Sequence, residues 1–169
     1  MNERQIGKVL KAELGSNFVG VFPADKLFMI RRNTPRPFAV VVNTDPSDMP
    51  GTHWVAIYIR QYGVEYFDSL GRPPNNHFRS FLQRFSRHCA WNEHQYQSIV
   101  SSLCGAYCIL FIITRHTHPT LSMHNILRKL FKRGYWDFND RIVQVFMMKR
   151  YALYLPITDV DFVRERFGV

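Results

Sequence analysis

The stretch CGAYCILFIIT, residues 104–114, is apolar on nearly every face of the helix that it predicts. A helix without a polar face is normally buried, so we expect this one at the centre of the domain. It begins at a cysteine, Cys104. The dipole and unpaired N–H groups of a helix start lower the pKa of a thiol and favour the nucleophilic thiolate. The stretch therefore predicts the core of the fold and a reactive residue together.

Two strand-like runs precede this helix in the chain. They cover residues 53–59 and 64–68 and are joined by a short turn at 61–63 that contains a glycine. Runs of this kind predict an antiparallel hairpin. Antiparallel pairing brings the start of the first strand beside the end of the second, so we expect His53 to lie near Asp68.

The spacing of apolar residues and the positions of capping residues predict the other helices and strands. Predicted helices are one that Asn2 caps and Gly15 ends, one with Phe78, Leu82, Phe85 and Cys89 on its apolar face, one over residues 122–133 and one over 139–153. Predicted strands are a short edge strand at 18–22, a buried strand at 38–42 and a further strand within 90–100. This mixture predicts an α+β fold with a small central sheet packed on the buried helix that starts at Cys104.

Length and composition limit the class of protein. A chain of 169 residues fits one domain, which we expect to cover residues 1–169. With 46% hydrophobic and 15% aromatic residues, the composition excludes an intrinsically disordered protein. The longest apolar run is less than half of the about 18 residues that a membrane span needs, so no membrane partner is expected. Three cysteines without an export signal predict reduced thiols in the cytosol or nucleus.

The net charge of +9 predicts attraction to polyanions such as DNA. Four basic residues face outward from the helix predicted over residues 122–133, and they are Arg128, Lys129, Lys132 and Arg133. Two interpretations of these residues stay open: a solvated helix face or a contact with DNA that reads no base sequence.

Four residues supply the groups that thiol-based hydrolysis needs. His53 would form an ion pair with the Cys104 thiolate, and Asp68 would fix the tautomer of the imidazole. Gln97 could swing its amide N–H toward a developing oxyanion, beside the backbone N–H of Cys104. Gly105 would leave room for the backbone of a substrate.

A metal site is the rival interpretation of the cysteines. Its ligands would be Cys104, Cys108, His116 and His118. Structural zinc takes pairs of ligands from tight turns on two elements, whereas these four residues run along one apolar helix and its end. We therefore expect no metal, with Cys108 a core residue.

Five short motifs occur in an order that resembles the adenovirus-type cysteine endopeptidases, the adenain family, which shares its fold with the ubiquitin-like-protein-specific proteases. The motifs are VNT at 42–44, GTHW at 51–54, FDSLG at 67–71, QS at 97–98 and CGAYC at 104–108. Each motif alone is a weak signal, but their joint order is specific.

The resemblance implies a papain-like fold in the broad sense, with His53, Asp68 and Cys104 as the catalytic triad. It also implies Gln97 as the oxyanion donor and Trp54 as an aromatic side chain beside the catalytic imidazole. The implied activity is that of a cysteine endopeptidase that forms a thioester acyl-enzyme and needs no cofactor for the chemistry. Such an enzyme would cleave viral precursor proteins after small residues, glycine above all, in the virion and in the host nucleus or cytosol.

Two other functions stay open. Asp68 stands where the adenoviral branch carries glutamate and matches the ubiquitin-like-protein proteases, so a ubiquitin-like-protein deconjugating protease is the first alternative. A basic DNA-binding core protein on a decayed protease fold is the second. The resemblance further implies activation by DNA and by a short viral peptide that forms a disulfide with a cysteine upstream of the glutamine. Cys89 lies upstream of Gln97, at a shorter spacing than in that family.

Overall fold

A computed structural model describes residues 1–157 of the chain. The predicted domain of residues 1–169 also includes 158–169, which lie outside the described residues. The strands are β1 (Phe18–Pro23), β2 (Phe38–Asn43), β3 (Trp54–Ile59), β4 (Val64–Phe67) and β5 (Cys89–Trp91). The α-helices are α1 (Glu3–Leu14), α2 (Asn76–Gln83), α3 (Cys104–Thr117), α4 (Met123–Leu130) and α5 (Trp136–Tyr151).

The strands form a single mixed sheet in the order β1-β2-β3-β4-β5. The pairs β2–β3 and β3–β4 are antiparallel, whereas β1–β2 and β4–β5 are parallel. The predicted hairpin, the edge strand and the α+β class are therefore confirmed. None of the helices within residues 1–157 combines the length and the apolar composition of a bilayer span.

Strand β2 shows why the sheet carries helices on both faces. Ala39 and Val41 point to the side of α3, while Val40 and Val42 point to the opposite side, toward α2 and the 3-10 helix Ala24–Met29. Side chains of a strand alternate between the two faces, so a strand that is buried on both faces is apolar throughout.

Helix α3 is the centre of the larger layer. It packs on β3, and α1, α4 and α5 cover its remaining sides. Ile109, Phe111 and Ile112 have no exposed surface at all. Burying a side chain of this size stabilises the fold by about 2 kcal/mol. The prediction that the apolar stretch is the central buried helix is confirmed.

Helix α1 begins as its sequence predicts. The Asn2 side chain accepts a hydrogen bond from the backbone N–H of Gln5, and the Gln5 side chain accepts one from the backbone N–H of Asn2. This reciprocal capping satisfies two N–H groups that a helix start would otherwise leave unpaired. The helix ends before Gly15, whose φ of +56° favours glycine.

Three predicted helices have wrong boundaries. Helix α2 ends at Gln83, and Cys89 lies on β5, because pairing with Val64 of β4 takes up that part of the chain. Helix α4 ends at Leu130, because Phe131 is extended and packs its ring among the aromatic rings of the core. The helix predicted over residues 139–153 begins at Trp136 and ends at Tyr151, so it starts and stops earlier than predicted.

A tight turn after β4 presses against the loop that follows β5. The backbone N–H of Gly71 donates to the Asp68 carbonyl over 2.8 Å. Gly71 has a φ of +74°, and a Cβ atom there would lie 2.7 Å from the backbone N of Gln95 and the carbonyl carbon of His94. Only a residue without a side chain fits between these two backbone segments.

Replacing this glycine should therefore destabilise the fold more than its backbone angle alone requires. Gly134 has nearly the same φ, +77°, but no atom within 4 Å of an added Cβ. We expect Gly134→Ala to cost about 1 kcal/mol, and Gly71→Ala about 2–4 kcal/mol, because only the latter drives a methyl group into backbone atoms. Urea unfolding midpoints of both variants measure the difference. Equal losses of stability would show that the two segments are not in close contact.

Candidate active site

The hairpin of β3 and β4 brings two of the predicted residues together. His53 Nε2 lies 2.7 Å from Asp68 Oδ1, and both side chains are almost fully buried. Asp68 Oδ1 also accepts a hydrogen bond from the backbone N–H of Leu70. The carboxylate is thus held in place by its own turn, and the predicted proximity of His53 and Asp68 is confirmed.

The backbone of Asp68 is fixed by Asn92, a residue that the sequence analysis missed. Asn92 Oδ1 accepts from the Asp68 N–H over 2.9 Å, and Asn92 Nδ2 donates to the Asp68 carbonyl over 2.5 Å. Nδ2 also donates to the carbonyl of His94. The buried side-chain amide of Asn92 extends the hydrogen bonding between β4 and β5 by one residue, because it takes the place of backbone groups. Nothing in the residues around Asn92 signals this burial.

Cys104 lies at the start of α3, buried, in contact with the imidazole of His53. Burial raises the pKa of the Cys104 thiol, but a hydrogen bond to His53, the charge of His53 and a backbone hydrogen bond from Trp54 lower it below its ordinary value. Because Asp68 occupies Nε2 of the imidazole, Nδ1 is the nitrogen that remains for the sulfur. The thiol is therefore in position to exist as a thiolate.

The pKa of the His53 imidazole shifts in the opposite direction, upward. Burial lowers the pKa of His53, whereas hydrogen bonds to Asp68 and Cys104 and the charges of both groups raise it to about 9. A lowered thiol pKa and a raised imidazole pKa together favour a thiolate–imidazolium pair at neutral pH.

Gln97 is buried in the loop before α3, and its side chain is held at both ends. Oε1 accepts from the Ser69 hydroxyl over 2.6 Å, and Nε2 donates to the Ser101 carbonyl over 2.6 Å. A carbonyl oxygen only accepts, so this partner fixes the orientation of the amide. The structure thus shows the amide held by two hydrogen bonds, and its role as an oxyanion donor stays a prediction.

Gly105 has a different role from the one expected. A Cβ atom at Gly105 would lie 2.9 Å from Ile6 Cδ1 and 3.4 Å from Trp54 Cδ1. The missing side chain lets α1 and Trp54 approach the start of α3, so the interpretation of Gly105 as space for a substrate backbone is wrong. Cys108, one turn further along, is a fully buried core residue as expected, and burial raises the pKa of its thiol well above its usual range.

A cleft of about 520 Å³ is lined in part by Trp54, the neighbour of His53 in the chain. Its other walls come from the start of α1, the end of β1 and the loop at residues 43–51, and they include Met1, Glu3, Phe22, Asn43, Met49 and Gly51.

The residues of the rival metal site lie far apart. His116 and His118 lie at the end of α3, whereas Cys104 lies at its start. The two ends of this helix are roughly 20 Å apart, because each residue adds about 1.5 Å to its length. The His116 imidazole contacts the Tyr58 hydroxyl instead, with 3.0 Å between Nδ1 and the oxygen. Among residues 1–157, no three His, Cys, Asp or Glu side chains are grouped for metal binding.

The four basic residues are exposed, but they do not share one helix face as predicted. Arg128 and Lys129 lie on α4, whereas Lys132 and Arg133 follow the helix, because the extended Phe131 separates the two pairs. The contact of these residues with DNA stays a prediction.

Comparison with known proteins agrees with this geometry. The chain is 25% identical over 121 residues to a cysteine protease, S273R, of African swine fever virus. The aligned region covers 64% of this chain and 44% of the relative. The chain is also 27% identical over 131 residues to the protease of frog adenovirus 1. This aligned region covers 68% of this chain and 63% of the relative. The chain is thus similar in sequence to proteases of two kinds of virus.

The solved structure of the African swine fever virus pS273R protease confirms the fold. It superimposes with a TM-score of 0.58 at 18% sequence identity and covers 84% of this chain and 64% of that protein. The predicted resemblance and the predicted fold class are thus confirmed. The chain spans less than half of the length of the S273R relative. No protein-family model matches the chain.

The coupling between His53 and Asp68 predicts a change in thiol reactivity. Asp68→Asn removes the charge that raises the pKa of His53, and a neutral imidazole no longer stabilises the Cys104 thiolate. We therefore expect the pH midpoint of Cys104 alkylation by iodoacetamide to move upward by about one unit. Mass spectrometry of the alkylated thiol over a pH series measures this midpoint. Asp48→Asn, which removes an exposed carboxylate from the loop at residues 43–51, is the control, and a midpoint common to both variants would contradict the coupling.

Proposed function

We propose that the protein is a cysteine endopeptidase in which Cys104, His53 and Asp68 form the catalytic triad. The observation that carries this proposal is the buried thiol at the start of α3, in contact with an imidazole that a carboxylate holds at 2.7 Å. A buried thiol, imidazole and carboxylate are costly to assemble, so their joint presence favours a chemical role over packing.

The proposed reaction has two steps. The Cys104 thiolate attacks the carbonyl carbon of the scissile peptide bond, and the His53 imidazolium protonates the leaving amine, which leaves a thioester. His53 then takes a proton from water, the hydroxide attacks the thioester, and the carboxylic acid leaves with the thiol restored. In both steps the carbonyl oxygen gains negative charge, and the N–H groups of Cys104 and Gln97 would stabilise it.

Substrates are proposed from the cleft and from the relatives. The cleft lined by Trp54 would hold part of a peptide substrate, and the resemblance favours small residues, especially glycine, before the scissile bond. We propose viral precursor proteins as substrates, in the virion and in the host nucleus or cytosol. Several African swine fever virus relatives carry the name SUMO-1 cysteine protease, and this name together with Asp68 supports deconjugation of ubiquitin-like proteins as the alternative.

The proposal predicts that one of the three thiols carries the activity. Cys104→Ala should abolish cleavage of a peptide with glycine before the scissile bond, because the acyl-enzyme cannot form. Cys89→Ala and Cys108→Ala, the matched controls, should retain a measurable rate, because burial raises the pKa of both thiols. Initial rates on a fluorogenic peptide measure this. Turnover by Cys104→Ala at the wild-type rate would overturn the mechanism.

The same assay separates the two kinds of protease. An endopeptidase should cleave the peptide and also an unfolded precursor fragment, whereas a deconjugase should cleave mainly a folded ubiquitin-like protein that carries a reporter at its C-terminus. If the wild-type protein cleaves none of these and its Cys104 reacts no faster than Cys89, the protein is a binding module on a decayed protease fold.

Activation by a viral peptide is a further proposal. Cys89 lies on β5, the last strand in the sheet order of the described residues, so a peptide could pair with this edge and reach the thiol. The thiol is half-buried, and burial raises its pKa, which favours slow disulfide formation.

We also propose that the basic residues after α4 contact DNA. Lys132 and Arg133 are exposed, and exposed aromatic side chains on which bases can stack follow them: Tyr135, Trp136 and Phe138. Contacts of this kind release counterions and need no base sequence.

Charge reversal tests this contact with a built-in control. Lys132→Glu with Arg133→Glu should weaken DNA binding and reduce its salt slope by about two, because two phosphate contacts are lost. Lys8→Glu with Lys11→Glu changes the net charge equally but on exposed positions of α1, and should weaken binding less. Fluorescence anisotropy with a labelled duplex at several salt concentrations measures both. Equal effects of the two pairs would show that only net charge matters.

A further inference from the structure

The loop that carries Gln97 has little regular structure of its own. We call residues 92–103, between the end of β5 and the start of α3, the glutamine loop. On one side it is held by Ser69, whose carbonyl accepts from the N–H groups of Tyr96 and Gln97 and whose hydroxyl donates to the Gln97 side chain. This side joins the loop to the turn that carries Asp68.

The other side of the glutamine loop is held by two consecutive residues of α5. Asn139 Nδ2 donates to the carbonyl of Tyr96 over 3.0 Å, and Asp140 Oδ2 accepts from the N–H of Ser98 over 3.4 Å. The residues directly before and after Gln97 are thus both bound from α5. Asn139 and Asp140 themselves have no exposed surface.

Tyr107 of α3 completes this buried junction. Its hydroxyl lies 2.8 Å from Asp140 Oδ1 and 3.1 Å from the carbonyl oxygen of Tyr96. Ser101, whose carbonyl accepts from the Gln97 amide, also bonds to Asp140 through its hydroxyl. The Asp140 carboxylate therefore connects α5 with Tyr107 of α3 and with the part of the loop directly after Gln97. Tyr96, directly before Gln97, is held by Asn139 and by the Tyr107 hydroxyl.

Burying Asp140 costs folding free energy, and this cost indicates that the residue does more than fill space in the core. Burial raises the pKa of Asp140 to about 6, while hydrogen bonds from Tyr107, Ser98 and Ser101 oppose the shift. At neutral pH the group is a buried carboxylate, which costs folding free energy even with hydrogen-bond donors around it. An apolar side chain at this position would avoid that cost but would leave the loop backbone without its partners.

We infer that Asn139 and Asp140 are positioning residues that hold the glutamine loop, and with it the amide of Gln97, in the geometry that stabilises the oxyanion. The inference rests on the proposed function, because it assigns them an effect on a reaction step. Neither residue touches the reacting atoms. They act by fixing the backbone on both sides of a donor that must not move during the reaction.

The test compares two properties of Cys104. Alkylation by iodoacetamide depends on the thiolate–imidazolium pair and not on an oxyanion, whereas kcat and the affinity for a peptide aldehyde depend on the oxyanion donors. Asp140→Ala in the full chain should lower kcat about tenfold and weaken aldehyde binding by the same factor, with alkylation unchanged within about twofold. Asp137→Ala removes an exposed carboxylate from the first turn of the same helix and should match the wild type in all three.

Double substitution separates positioning from a general loss of structure. Gln97→Ala alone should cost on the order of 100-fold in kcat. If Asp140 acts through Gln97, Gln97→Ala combined with Asp140→Ala should be no slower than Gln97→Ala alone. If Asp140→Ala does not fold, Tyr107→Phe and Asp140→Asn take its place. Tyr107→Phe should show the same pattern more weakly, and Asp140→Asn should keep most of the rate.

Three results would overturn the inference: kcat for Asp140→Ala equal to that for Asp137→Ala, equal losses in alkylation and turnover, or fully additive losses in the double variant. A wild-type protein that neither cleaves peptide nor reacts selectively at Cys104 would instead remove the proposed function, and the inference with it. Active wild type with an unaffected Asp140→Ala removes the inference alone.

Discussion

Helix α3 has no polar face, and this constraint organises the molecule. A helix of this kind is stable in water only when other elements cover it on all sides, and the sheet, α1, α4 and α5 do so. Its first residue, Cys104, lies beside the open end of the hairpin that carries His53. Gly105 lets Ile6 and Trp54 close the packing at this end. The forces that bury the core therefore also place the thiol against the imidazole.

The electrostatic consequence is a set of ionisable groups with little access to water. A thiol, an imidazole or a carboxylate buried alone would tend to stay neutral, because a charge in a low-dielectric interior is costly. Together they lower this cost for one another, which is why the pKa of His53 rises to about 9 while that of Cys104 falls. Asn92 and the turn after β4 hold Asp68 still, so that little reorganisation is needed when charge moves.

Much of the fold could be predicted from local pattern, and the errors have physical causes. The hairpin, the capped first helix and the central helix follow from periodicities that each element carries within itself. The apolar spacing that runs through Phe85 to Cys89 predicts more helix, but pairing with β4 takes Cys89 into the sheet. Phe131 ends α4 because its ring packs in the core, and this splits the basic residues into two pairs. In both places a long-range contact overrode a local preference.

The order of most elements, the buried helix with its initial cysteine and the proximity of His53 to Asp68 could be predicted from local patterns. Two strands joined by a short turn bring the start of the first beside the end of the second, although the sequence leaves their exact register open. The polar residues that support the site became visible only in the folded chain. Asn92 reaches Asp68 across 24 positions, and Asp140 reaches Ser98 across 42. Helical and strand periodicity arises from backbone geometry over a few residues, whereas a hydrogen bond between distant segments depends on how the whole chain packs, and no local pattern encodes its partner.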